Sequence, residues 1–111
     1  MRGLRRTKNW DLFLLVVAMG VSVNQTCELM NIHRNSPYQL GARDPEFRRK
    51  LDLALARQGR CHMADPKFFV HPETLEPLLD ANFNRIPRKP LNTLLPWIHE
   101  QLVRNPLAHI A

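Results

Sequence analysis

Five histidines and two cysteines supply the side chains of this chain that could bind a metal ion or form a nucleophile–base pair. Cys61, His62 and His71 lie closest together along the sequence. Structural zinc sites place their ligands in short recurring pairs, such as C-x-x-C with H-x-x-x-H, and this group lacks that spacing. Adjacent side chains rarely face each other, so Cys61–His62 does not predict an activated nucleophile. The sequence therefore predicts no metal site, no cofactor and no catalytic residue here.

Carboxylates concentrate between residues 44 and 52, where a pair of acids would suit general acid–base catalysis. Asp44 and Glu46 already have a structural explanation, because they suit the capping position and the first turn of a helix. The chain also lacks a glycine-rich phosphate loop and a serine-centred elbow. The sequence predicts that the protein is not an enzyme.

Basic residues give the chain a formal charge of +6 and a pI near 10.2. Outside the N-terminus they form two short clusters, Arg48-Arg49-Lys50 and Arg85-x-x-Arg88-Lys89, with acids interleaved. That interleaving is more typical of solvated surfaces than of a nucleic-acid site, so nucleic acid is predicted to be an unlikely partner. Residues 1–9 are basic, and we expect this segment to meet anionic lipid headgroups.

Any fold of this chain must accommodate an uncharged apolar run that extends from Leu12 to Val23. As a helix it covers roughly 18 Å, and extension from Trp10 to Cys27 gives about 27 Å, close to the roughly 30 Å hydrocarbon core of a membrane. We therefore predict a single transmembrane anchor over residues 10–30. Its proposed membrane-contacting residues are Trp10, Leu12, Phe13, Leu14, Leu15, Val16 and Val17.

Two other interpretations of the apolar run stay open. A basic segment followed by a short apolar core is also the form of a cleavable secretory signal peptide. A core helix of a globular domain is the third interpretation. A helix that is apolar on all sides must be covered by other residues on every side. We expect the rest of this short chain to be too small to cover it.

Helical periodicity reappears downstream of the anchor. A loop is predicted over 31–43, followed by a small helical and extended interaction region over 44–111. Helices are predicted from Asp44 to Gly59 and from Thr93 to Arg104, with a further helical segment after Glu73. Their apolar stripes are predicted to bind partners through Phe47, Leu51, Leu55, Leu94, Trp97, Ile98 and Leu102.

The predicted fold class is small and all-α, with one N-terminal transmembrane helix followed by a proline-punctuated tail of two or three short amphipathic helices. In this layout the chain resembles the small single-span accessory subunits and assembly factors of mitochondrial respiratory complexes. The resemblance implies a non-catalytic subunit in the mitochondrial inner membrane, with its N-terminus in the matrix and subunits of a larger membrane complex as partners. The alternatives are a small secreted or luminal protein and a basic, organellar ribosome-associated protein.

Overall fold

The computed structural model describes residues 9–104 of the chain, and this part is all-helical. Five α-helices follow one another, with one 3₁₀ helix before the last. Their bounds are Trp10–Ala18 (α1), Val23–Met30 (α2), Ser36–Arg43 (α3), Pro45–Ala64 (α4) and Leu95–Arg104 (α5), with the 3₁₀ helix at Leu91–Leu94.

The predicted transmembrane anchor is wrong. Among residues 9–104, no helix combines the length and the apolar character needed to cross a membrane. The segment 10–30 is divided into α1 and α2, and α1 has only 9 residues. A helix of that length extends roughly 14 Å.

The division occurs at Gly20 and Ser22. Gly20 has a φ of +116°, which favours glycine, and the N–H of the next residue, Val21, reaches back to the carbonyl of Val16. Ser22 then caps α2, because its Oγ accepts a hydrogen bond from the N–H of Gln25 at 3.1 Å. Gly20 therefore terminates α1, and Ser22, two residues later, is the N-cap of α2.

Helix α1 lies between two apolar clusters, which explains why it is apolar on both sides. Leu12, Val16 and Met19 face one cluster, and Phe13 and Val17 face the other. The first cluster is completed by Val21, Phe69, Leu78, Ile86, Leu94, Trp97 and Ile98, and the second by Ala18, Val23, Cys27, Ile32, Phe47, Leu51 and Ala54. The predicted anchor residues are therefore core residues of this fold, with Trp10, Leu14 and Leu15 half-buried at its margins.

Residues 65–90 form a compact non-helical segment. Three buried residues in it exchange backbone hydrogen bonds in a ring: Phe69 donates to Ile86, Ile86 to Leu78, and Leu78 to Phe69. The helical segment predicted after Glu73 is absent. The N–H and carbonyl of Leu78 bond to the other two ring residues rather than to a helix, and Pro77 has no N–H to donate.

Helix α4 begins as the sequence predicts but runs further. The Asp44 carboxylate accepts hydrogen bonds from the N–H groups of Glu46 and Phe47, at 3.0 and 3.4 Å. The helix passes through exposed Gly59 to Ala64 rather than ending at the glycine. Continuation buries Cys61, which offsets the roughly 1 kcal/mol cost of a glycine inside a helix.

The C-terminal ends of α1 and α4 meet at Arg88, a buried side chain that is 9% exposed. Its guanidinium donates to the carbonyl oxygens of Met19 (2.9 Å), Cys61 (3.1 Å) and Asp65 (3.0 Å). Helix ends leave such carbonyls without partners, and a cation suits the negative end of the helix dipole. Burial lowers the pKa of Arg88 from its ordinary value, but a guanidinium keeps its proton at any pH where the protein folds.

Candidate functional site

The residues predicted to bind partners lie mostly inside the chain. Phe47, Leu51, Leu94, Trp97 and Ile98 are all buried and belong to the two clusters around α1. Leu102 is half-buried against the first cluster, and Leu55 is 41% exposed. The structure thus gives most of these side chains an intramolecular role, and partner binding through them stays a prediction.

The cysteine and histidine group lies at the end of α4 and just beyond it. Cys61 is buried, and burial raises the pKa of its thiol, which favours the less reactive neutral form. His62 is exposed, and the Nδ1 of His71 accepts a hydrogen bond from the N–H of Glu73 at 3.1 Å. Across residues 9–104 no three His, Cys, Asp or Glu side chains are grouped to hold a metal ion.

The feature that sequence reasoning missed is the pair α2 and α3, two helices of eight residues joined by a tight turn. Asn31 ends α2 in the left-handed conformation, with φ 58° and ψ 46°. The N–H of Ile32 donates to the carbonyl of Cys27 at 2.8 Å, and the N–H of Asn31 donates to the carbonyl of Glu28. This pair of bonds is the usual way in which a left-handed residue closes a helix and redirects the chain.

The start of α3 is fixed by His33. Its Nδ1 accepts a hydrogen bond from the N–H of Asn35 at 3.1 Å, and its carbonyl accepts one from the N–H of Ser36 at 2.9 Å. Ile32, immediately before it, is buried with Cys27 in the second cluster. Ile32 therefore anchors the turn in the core, and the hydrogen bonds of His33 fix the start of α3.

Helix α3 has one face toward the protein and one toward solvent. Pro37 is buried, and Leu40 packs on the second cluster. Gly41 lies close to α4, because a Cβ at this position would sit 3.6 Å from the Cδ of Arg48. The exposed residues of α3 and of the two positions before it are Arg34, Asn35, Tyr38, Gln39, Ala42 and Arg43.

The exposed stripe of α3 is polar and basic. Arg34 and Arg43 have no ion-pair partner within residues 9–104. By contrast, two arginines at the start of α4 are neutralised by acids on the same helix: Arg48 pairs with Asp52 at 3.3 Å, and Arg49 with Glu46. The Arg49 guanidinium lowers the pKa of Glu46, which keeps that pair charged. The α3 stripe is thus left with charge and hydrogen-bonding groups for an external ligand.

The sequence contained a signal for this unit. Ser22 and Asn31 bracket α2 as a cap and a left-handed stop, and Pro37 falls in the first turn of α3, where proline is tolerated. The transmembrane interpretation of residues 10–30 hid the first helix, and Ser36-Pro37 with Gly41 suggested a loop over 31–43.

The basic segment predicted to meet lipid headgroups lies, apart from Asn9, outside the described residues. Comparison of the chain with protein-family models, with curated proteins and with solved structures gives no match.

Proposed function

We propose that this protein binds double-stranded DNA, with α2, its turn and α3 acting as a helix-turn-helix unit and α3 as the recognition helix. The observation that carries the proposal is the exposed stripe of α3, set on a turn that the core holds in place. In DNA-binding units of this kind the second helix enters the major groove and its first residues contact base edges, while the first helix crosses the backbone.

The side chains of the stripe suit the chemistry of base edges. Arginine donates two hydrogen bonds to O6 and N7 of guanine, and asparagine or glutamine pairs with N6 and N7 of adenine. Arg34 and Asn35 precede the first turn of α3, Gln39 lies one turn further on, and Arg43 closes the helix. These four exposed side chains run from the turn before α3 to its last residue, and the major groove of DNA is wide enough to admit an α-helix.

Electrostatics support the same proposal. Residues 33–50 include five arginines and lysines against two acids, and the whole chain carries +6. Such a charge favours approach to a phosphate backbone through release of counterions. Interleaved acids argued against a nucleic-acid partner at the level of sequence, but the fold pairs acids with Arg48 and Arg49 and leaves Arg34 and Arg43 outward.

The accessory-subunit, secreted and ribosome-associated functions stay predictions, as does the mitochondrial location. The accessory-subunit function was built on an anchor, and that premise has been overturned. The proposed DNA-binding function needs no such premise, since its residues are already exposed.

The test is binding of the purified chain to a randomised duplex library, followed by affinity measurement on the selected sequence. The double variant R34A/R43A should bind at least about thirtyfold more weakly, because each contact contributes roughly 1 kcal/mol or more. The double variant should also lose sequence preference at the base pairs that Arg34 and Arg43 contact.

The control is R60A/R104A, which removes the same formal charge from positions outside α3, although Arg104 is paired with Glu100. It should retain most of the affinity. The proposal is overturned if the chain binds no duplex at low salt, or if the two double variants lose affinity equally.

A further inference from the structure

A cavity with a volume of about 670 Å³ lies beside the N-terminal half of α2. This size falls within the range of small-molecule sites in proteins. Ten residues line it: Gly20, Val21, Gln25, His62, Pro66, Lys67, Phe69, Arg88, Lys89 and Leu91. They come from the link between α1 and α2, from α2, from the end of α4, from the non-helical segment and from the 3₁₀ helix.

The charge of this lining has one sign. Lys67, Arg88 and Lys89 are cations, His62 adds a fourth basic group, and no carboxylate belongs to the lining. Lys67 and Lys89 are exposed and form no ion pair within residues 9–104. The three positive charges that line this cavity repel each other, and a bound anion would offset that repulsion.

Asp65, two residues before Lys67 in the sequence, already has bonding partners. Asp65 accepts hydrogen bonds from the N–H groups of Lys67 and Phe68, at 3.0 and 3.1 Å, and forms an ion pair with Arg85. These hydrogen bonds and the arginine lower the pKa of the Asp65 carboxyl, so the carboxylate remains charged, and Asp65 is not among the residues that line the cavity. The cavity therefore keeps a surplus of positive charge.

Arg88 gives the cavity a rigid wall. Its three hydrogen bonds to helix-end carbonyls hold the guanidinium in place, and its plane lies over the ring of Phe69 with Cζ 5.0 Å from the ring centroid. A fixed guanidinium loses little conformational entropy when an anion arrives. Val21, Phe69 and Leu91 supply apolar surface beside it.

We propose that this cavity binds a phosphate group, held by Lys67 and Lys89 against the fixed charge of Arg88. The phosphate could belong to a free phosphorylated compound or to the backbone of bound DNA, and the chemistry of recognition is the same for both. The inference does not rest on DNA binding by α3, because it follows from the charge and shape of a separate cavity.

The experiment records amide chemical shifts of the full chain by NMR during two titrations, one with pyrophosphate and one with the selected duplex. Pyrophosphate should produce saturable shifts at Val21, Lys67 and Lys89 if the source is a free compound. If the source is backbone phosphate, the duplex alone should shift these amides. Either result supports the site and identifies the source of its phosphate.

The variant K67Q/K89Q should weaken the titration that gave the shifts by about tenfold or more, because it removes both mobile cations and leaves Arg88 in place. The control R60Q/R104Q removes two charges from residues that do not line the cavity and should change little. The site is overturned if neither titration shifts the three cavity amides, or if both variants weaken binding equally. The pyrophosphate titration contains no DNA, so it is interpreted independently of the proposed function.

Discussion

At Gly20 the backbone conformation and the tertiary packing both require a residue without a Cβ. Its φ of +116° is unfavourable for any residue with a Cβ, and an added Cβ would lie 2.6 Å from Nη1 of Arg88. Arg88 cannot retreat without releasing the carbonyl of Met19. The end of α1 therefore depends on the absence of a side chain at one position.

We expect the variant G20A to lower the free energy of unfolding by about 2 kcal/mol or more, from backbone strain and the displaced guanidinium. Gly59 is the matched control, because it lies within α4 and an added Cβ would meet nothing within 4 Å. G59A should stabilise the protein by roughly 0.5 to 1 kcal/mol. Urea unfolding followed by circular dichroism measures both changes, and equal effects of the two substitutions would contradict the geometry described for Gly20.

At the scale of elements, the turn between α2 and α3 depends on the left-handed conformation of Asn31. Asparagine tolerates this conformation better than other residues with side chains, and glycine tolerates it best. The backbone bonds of the turn do not require the side chain, since they involve only the N–H groups of Asn31 and Ile32.

We therefore expect N31A to lower the free energy of unfolding by roughly 1 kcal/mol, whereas N31G should remain within about 0.5 kcal/mol of the natural chain. The measurement is urea unfolding of both variants under the same conditions. If alanine and glycine at this position give the same stability, then residue 31 does not adopt the left-handed conformation in solution.

The elements also show where sequence reasoning succeeds and where it stops. The start of α4 was predictable because Asp44, Pro45 and Glu46 act through local bonds. Its end was not, because burial of Cys61 is a tertiary effect that outweighs the local preference of Gly59. In the case of α1, an apolar surface on all sides suits both a membrane and a two-sided core, and only the long-range contacts of residues 69–98 distinguish them.

Only part of the candidate site could be predicted from the sequence. The side chains of α3 and their charges can be read from the sequence, yet Ser36-Pro37 and Gly41 favour a loop until the packing of Leu40 and Gly41 is known. The cavity could not be predicted, because long-range hydrogen bonds bring Lys67 and Lys89 to the end of α1: the N–H of Arg88 donates to the carbonyl of Lys67, and its side chain donates to the carbonyl of Met19.

At the scale of the whole molecule, α1 belongs to both apolar clusters, so neither cluster can open without exposing it. We expect the amides of Val16 and Val17 to exchange with solvent hydrogen only through global unfolding. Their exchange free energies should agree within about 1 kcal/mol with the stability from urea unfolding, while amides of α3 exchange through smaller openings. Exchange of the α1 amides at a clearly lower free energy would show that the two clusters unfold separately.

The shared helix also has a consequence for synthesis. One side of α1 can be covered by α2 and α4 as soon as they leave the ribosome, but the other side waits for Phe69, Leu78, Ile86 and finally Ile98. During translation one side of this apolar stretch is thus made well before the residues that cover it. Until residues 69–98 emerge, the nascent chain presents one exposed apolar side of this helix to chaperones and to other nascent chains.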